Sequence, residues 1–306
     1  MIVRHCTLSL LVTLGAVACG MRGDAASAVD SAELTGRAAR IAQRLSDSTS
    51  GAARGVPIAR WWLPTSLNEV SGLTMTSDGR LLAHGDEYGT VAVLDPRRGV
   101  LLKEFSIGAK ADFEGITIAD GVIYMVASNG EIYVFREGAN RERVRYERLD
   151  TRLGRECEFE GIAFDHVRRA LLLPCKNVKE RSLRNNLVIY VWRLAPVTPR
   201  LSVLAIPLRR VIGDNTWEDL RPTDIAVDPN TGHYLLVAAS ERALVELTPN
   251  GEVVHAMPLP GREHAQAEGI AITEDGILII GDEATSRFAA ITLYRWPLNE
   301  GPAGTP

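Results

Sequence analysis

The sequence predicts an all-β fold, a five-bladed β-propeller, because one short motif recurs along the chain. Residues 158–165 place acidic residues and a glycine before an apolar run, and close copies begin at Asp112 and Gln266. Weaker copies begin at Val70 and Pro222. A repeat of roughly 45 residues that contains four short strands is typical of a propeller blade.

The composition restricts the class of protein further. The 306 residues are 46% hydrophobic and 24% charged, which is ordinary for a soluble globular protein. The formal net charge is −4, and no basic stripe interrupts the chain. Because nucleic-acid binding depends on clustered positive charge, we expect no nucleic-acid partner. We expect a monomer with one large β domain.

The first 18 residues predict an export signal. Arg4 precedes a short apolar run over residues 8–18, which is too short to cross a bilayer and ends in small residues. The tetrapeptide that ends at Cys19 resembles a bacterial lipobox, and Gly20 resembles an outer-membrane sorting signal. We therefore expect lipidation at Cys19 and a cell-envelope lipoprotein that faces the periplasm. A plain signal peptide, cleaved near residue 18, is the alternative.

Residues 19–55 are predicted to form a flexible linker to the membrane anchor. They are rich in Ala, Ser, Gly and Asp and show no β pattern. Ala38, Ile41 and Leu45 are three and four residues apart, so a short amphipathic helix is the alternative. The propeller then covers residues 56–298, and a short tail covers residues 299–306.

Apolar runs separated by turn-forming clusters give four strands in each of the first four blades. The fifth blade begins near Glu268 and ends one strand short. The unassigned strand at residues 58–63 can supply the missing strand and close the ring, which removes an open sheet edge. A long interval between blades three and four leaves a six-bladed ring as the alternative. We favour insertions at residues 177–186 and 209–221, because these are polar.

The repeated acidic residues are predicted to share one mouth of the central channel. The start of a blade's first strand and the end of its second strand lie at the same end of their hairpin. The first-strand starts carry Glu114, Glu160, Asp224 and Glu268. The second-strand ends carry Asp86, Glu87, Lys176, Glu241, Asp282 and Glu283.

So many carboxylates in one place require compensating positive charge. Lys176 can supply it, or a hard cation such as Ca²⁺ can bind the carboxylate oxygens. The sequence therefore predicts a Ca²⁺ site formed by Glu114, Glu160, Asp224 and Glu268. The alternative is purely structural: the carboxylates accept hydrogen bonds from backbone N–H groups and hold neighbouring blades together.

The same motifs resemble the SdiA-regulated family of exported bacterial proteins, which is distantly similar to NHL-repeat propellers. Residues 158–163 and 267–271 carry the resemblance, together with Cys175-Lys176-Asn177 and Gly281-Asp282-Glu283. It implies a five-bladed propeller with a calcium site and no established activity. Its acidic positions correspond here to Glu114, Glu160 and Glu268.

Two blades depart from this pattern. Blade one has Ser71 where Glu would stand, and blade four has Thr223-Asp224 in place of Glu-Gly. These departures leave the number of protein ligands open. The motifs at residues 112–115 and 282–283 also look like those of phytase-like esterase propellers, which are hydrolytic relatives.

Two cysteines are predicted to form a disulfide. Cys157 precedes the first strand of blade three and Cys175 ends the second, so they fall across one hairpin within bonding reach. An exported compartment permits the bond. Two buried free thiols are the alternative.

Signals for catalysis are few, which leaves two classes of function. No nucleophile elbow, paired-histidine motif or phosphate-binding loop occurs. His84 and His264 are the candidate general bases, although a lone histidine at a strand end is more often structural. The first class is a calcium-binding propeller that binds a small molecule or a protein at the channel mouth. The second is a Ca²⁺-dependent hydrolase of a lactone, ester or phosphoester.

Overall fold

The computed structural model describes residues 31–46, 55–194, 200–260, 263–285 and 288–298. Cys19, the export signal and the tail at 299–306 lie outside these residues. The described chain is mostly β-structure, with two α-helices, α1 (Ser31–Ser46) and α2 (Leu208–Ile212). Neither described helix combines the length and the apolar character needed to cross a membrane.

Within the described ranges, twenty-one strands form five antiparallel sheets. The chain enters through β1 (Ala59–Trp62). Blade one contains β2 (Val70–Met75), β3 (Leu81–Gly85), β4 (Tyr88–Asp95) and β5 (Val100–Lys110). Blade two contains β6 (Phe113–Ala119), β7 (Val122–Ala127), β8 (Glu131–Phe135) and β9 (Tyr146–Asp150).

Blade three contains β10 (Cys157–Phe159), β11 (Ala163–Asp165), β12 (Ala170–Val178), β13 (Asn186–Arg193) and β14 (Arg200–Pro207). Blade four contains β15 (Asp224–Val227), β16 (Tyr234–Ala238), β17 (Ala243–Leu247) and β18 (Val253–Pro258). Blade five contains β19 (Ala267–Ile272), β20 (Ile277–Asp282) and β21 (Ala290–Arg295). The inner strands contact one another in sequence, and β19 contacts β2, so the five blades form a ring. The prediction of five blades is confirmed.

The ring is closed by the N-terminal strand, as predicted. β1 pairs antiparallel with β21, and Ala59 lies opposite Leu293. Ile58 and Leu63, on either side of β1, are buried in the core between blades five and one. The Trp61 indole N–H donates a hydrogen bond of 2.8 Å to the Pro96 carbonyl of blade one. β1 thus covers the edge of blade five and ties it to its neighbour.

Helix α1 differs from the flexible linker that we expected over residues 19–55. Its apolar side packs on the propeller: Ile41 is 2% exposed, and Leu45 packs against the same core cluster between blades five and one. Arg37 stacks over the Trp61 ring with 5.2 Å between the guanidinium carbon and the ring centroid. The spacing of Ala38, Ile41 and Leu45 therefore marks a helix that covers the closing strand.

Blade three departs from a simple inner strand. The predicted strand at residues 159–164 is divided into β10 and β11 on either side of Gly161, whose φ of +92° favours glycine. A disulfide joins Cys157 to Cys175 with a Cα–Cα distance of 5.6 Å. The two half-cystines lie diagonally, since Cys157 is opposite Val178 and Cys175 is opposite Phe159.

Candidate functional site

Three of the predicted acidic residues converge at one end of the channel with a single lysine. Lys176 donates a hydrogen bond of 2.8 Å from Nζ to Glu160 Oε1, and it also interacts electrostatically with Glu268 and Glu114. Glu283 acts electrostatically on Glu268. We call Glu114, Glu160, Lys176, Glu268 and Glu283 the acidic mouth. These side chains come from blades two, three and five, as the hairpin geometry predicts.

Burial and mutual interaction shift the pKa values of the side chains in the acidic mouth. Burial raises the pKa of Glu114, and the neighbouring Glu160 carboxylate, which is within hydrogen-bonding reach, raises it further. Burial also raises the pKa of Glu160, although Lys176 opposes that rise. Burial, followed by repulsion from Glu160, raises the pKa of Glu268 to about 7. Burial alone would lower the pKa of Lys176, but the interactions with Glu160, Glu268 and Glu114 together raise it. The acidic mouth therefore contains more carboxylate groups than positively charged groups.

The Glu268 carboxylate stands out within this group. It is half-buried and makes no hydrogen bond to another side chain or backbone group of the described residues. Glu160, by contrast, is 5% exposed and paired with Lys176. The Glu268 carboxylate is consequently left without a hydrogen-bond donor among the described residues.

The remaining predicted rim residues are distributed around this centre. Asp86 and Glu87 lie beside Glu69, and repulsion from Asp86 is the main cause that raises the pKa of Glu69. Sequence reasoning missed Glu69, which precedes β2 and adds to the acidic surface. Glu241 lies apart and accepts a 3.2 Å hydrogen bond from the Arg221 backbone N–H.

Asp282 belongs to a buried cluster at the end of β20. Its Oδ2 lies 2.8 Å from Nδ1 of His264, whose Nε2 lies 2.7 Å from the Tyr294 hydroxyl. His264 and Asp282 are 1% and 4% exposed. His84, the other candidate base, is fully buried, and burial lowers its pKa to about 4. Both histidines are buried, so neither candidate base presents its ring to solvent.

Asp224 lies one position further along its inner strand than the glutamates do along theirs. The other blades have glycine at this position. A Cβ atom at Gly115 would lie 2.6 Å from the Cα atom of Gly161, and one at Gly161 would lie 2.7 Å from that of Asp224. Such distances are shorter than real Cβ contacts allow, so the inner strands meet backbone to backbone. We call residues 72, 115, 161, 224 and 269 the axial ring.

The Asp224 side chain crosses this ring. Oδ2 accepts hydrogen bonds from the backbone N–H of Ile270, at 2.9 Å, and of Leu73, at 3.4 Å. Oδ1 accepts one of 2.8 Å from the N–H of Ile225. Burial raises the pKa of Asp224, and these three amide donors oppose the rise. Asp224 thereby links blades four, five and one, which is the structural role that we left open for the acidic repeat.

The predicted calcium ligands are not gathered into one cluster in the described residues. Among them, no group of three or more His, Cys, Asp or Glu side chains is placed to hold a metal ion. Lys176 stands beside Glu160 where a cation would bind, and the Asp224 oxygens are taken by backbone amides. Calcium binding therefore stays a prediction.

A ring of five antiparallel sheets around a channel defines the molecule as a five-bladed β-propeller. The family model of SdiA-regulated proteins matches residues 210–296, which confirms the resemblance for that part of the chain. No curated protein matches the sequence significantly.

Two solved structures are similar in fold. Glutaminyl cyclase of Myxococcus xanthus is 13% identical with a TM-score of 0.56, over 78% of this chain and 96% of that one. A luciferin-regenerating enzyme is 8% identical with a TM-score of 0.50, over 78% and 96%. At such identities the likeness shows the propeller fold alone.

Proposed function

We propose that this chain is an exported, lipid-anchored β-propeller of the bacterial cell envelope that binds a cationic ligand at its acidic mouth. The observation that carries the proposal is the excess of carboxylates over cations there. Glu114, Glu160 and Glu268 face one ammonium group, that of Lys176. Carboxylates whose pKa is raised by burial and by each other gain when a cation enters, because it favours their ionised forms.

Calcium is the ligand that we propose to test first. It is a hard cation that binds carboxylate oxygens with flexible geometry, which suits side chains that come from different blades. The half-buried Glu268 has a free carboxylate for it. Lys176 is then a built-in competitor, since its ammonium occupies the space beside Glu160. No feature of the site geometry specifically supports the hydrolase alternative.

The proposed competition between the Lys176 ammonium and calcium can be tested by substitution. Lys176→Met keeps the aliphatic stem and removes the ammonium, so the variant should bind Ca²⁺ at least about tenfold more tightly than the original chain in calorimetric titration. Lys179→Met is the matched control, because Lys179 Nζ contacts the Gly154 carbonyl at 3.1 Å and belongs to no carboxylate pair among the described residues. Absence of calcium uptake by both the original chain and Lys176→Met would contradict the proposal.

A further inference from the structure

A cavity lies at the opposite end of the channel from the acidic mouth. It has a volume of about 740 Å³ and is lined by all five inner strands and by the turns that follow them. Pockets of roughly 300–1,000 Å³ are the size that encloses drug-sized molecules. We call this space the axial cavity. Its inner end lies at the axial ring, where Asp224 crosses the channel.

A repeated feature of the sequence keeps this cavity open. Two positions after the axial ring, every blade has a small residue, and all five of these residues line the cavity: Thr74, Thr117, Ala163, Ala226 and Ala271. The next position in each blade is large and apolar, as with Met75, Ile118 and Val227. Larger residues in place of the small ones would occupy the space.

The cavity wall also offers hydrogen-bonding groups. Each of β2, β6, β15 and β19 is the terminal strand of its sheet, so one backbone edge has no strand partner in the described sheets. Backbone N–H and C=O groups on such an edge can pair with polar groups of a ligand. The cavity therefore combines apolar walls with a few backbone donors and acceptors.

Charged groups are confined to the cavity's outer opening. Arg97 Nη2 lies 2.5 Å from Asp275 Oδ2, which joins blades one and five. Arg169 Nη2 lies 2.7 Å from Asp120 Oδ2, which joins blades three and two. Inside the opening, the wall is formed mainly by apolar side chains with a few hydroxyl groups, such as those of Thr74 and Thr117.

We propose that the axial cavity is a second binding site, which takes a neutral, largely apolar small molecule with its polar end at the Arg97–Asp275 opening. The site is separate from the acidic mouth because the axial ring and Asp224 lie between them. A ligand enters and leaves through the opening and does not pass along the channel.

The test uses N-phenyl-1-naphthylamine, a neutral dye that fluoresces in apolar surroundings. The purified chain should bind it saturably with one dye per protein. Thr74→Phe and Ala226→Leu, which fill the cavity, should each weaken binding at least tenfold. Ser202→Phe adds an aromatic ring at an exposed position of β14 and should leave the affinity unchanged.

Absence of saturable dye binding would overturn the inference, as would equal affinities in the folded filling variants. A melting curve establishes that each variant is folded, and Ala226→Leu decides the matter if Thr74→Phe does not fold. Calcium titration of the same proteins reports on the acidic mouth alone. Dye binding without calcium uptake would contradict the proposed function and support this inference. Calcium uptake without dye binding would support the proposed function and overturn this inference.

Discussion

The Asp224 carboxylate accepts a 2.9 Å hydrogen bond from the backbone N–H of Ile270, in the neighbouring blade. Asp224 is fully buried, and its other hydrogen bonds go to Leu73 in blade one and Ile225 in its own strand. One side chain therefore connects three blades at the channel axis. Its removal leaves buried N–H donors without their acceptor.

We expect Asp224→Ala to lower the free energy of unfolding by about 1–3 kcal/mol, the usual effect of leaving a buried donor unsatisfied. Chemical denaturation followed by tryptophan fluorescence measures this change. Asp214→Ala is the control, because Asp214 is exposed. Equal stabilities of the two variants would show that Asp224 does not hold the blades together.

Glu268 predicts a dependence of stability on pH. Its pKa in the folded state is about 7, above the value of roughly 4.3 for an unperturbed glutamate. A raised folded-state pKa gives stability that is fully present below the unfolded value and is lost as the pH rises through 7.

Glu268→Gln should remove this loss. We expect the variant to gain about 1 kcal/mol or more in unfolding free energy over the original chain between pH 5 and pH 8, since one pKa unit corresponds to about 1.4 kcal/mol. Glu252→Gln, at an exposed turn position, is the control and should follow the original chain. A Glu268→Gln profile parallel to that of the original chain would refute the raised pKa.

The closing strand predicts a graded response to truncation. A chain that begins at residue 55 loses helix α1, whereas one that begins at residue 65 also loses β1 with the buried Ile58 and Leu63. Each fully buried aliphatic side chain contributes about 1.5–3 kcal/mol, and about 1 kcal/mol shifts Tm by about 2–4 °C in a chain of this size.

Two such side chains contribute about 3–6 kcal/mol, so the second truncation should melt at least about 6 °C below the first. Differential scanning calorimetry measures the difference, with a chain that begins at residue 31 as the reference. If both truncated chains melt at the same temperature, β1 does not stabilise the closed ring.

The disulfide predicts a result that free-thiol counting can check. A chain that begins at residue 31 retains only Cys157 and Cys175, so its denatured, non-reduced form should show no titratable thiol. The bond spans 18 residues, and its loss should cost about 3 kcal/mol in unfolding free energy. Two titratable thiols in freshly purified protein would contradict the bond.

The alternating strands and their turns made the propeller predictable, and the incomplete fifth repeat made the closing strand predictable. Glu114, Glu160, Lys176 and Glu268 were predictable as neighbours because antiparallel hairpins bring strand starts and ends together. Asp224 lies one residue further along its strand than the three glutamates, at a position where the other blades have glycine. A shift of one residue along a strand moves a side chain by about 3.3 Å and to the opposite face.

Other features depend on tertiary contacts that a periodic pattern does not specify. Asp282 occupies a predicted rim position, yet His264, from the loop before β19, draws it into a buried cluster. The axial cavity was missed, although small residues two positions after the axial ring recur in all five blades. That recurrence, together with Asp224 at a glycine position, was the available signal in the sequence.

The central claim is that the acidic mouth binds a cation, and the calcium dependence of stability tests it most directly. With Ca²⁺ at a hundredfold excess over its dissociation constant, unfolding should require about 2.7 kcal/mol more than with a chelator. Glu160→Gln keeps the shape of the side chain and removes its charge, so it should abolish that gain. Identical unfolding free energies with calcium and with chelator would contradict the claim.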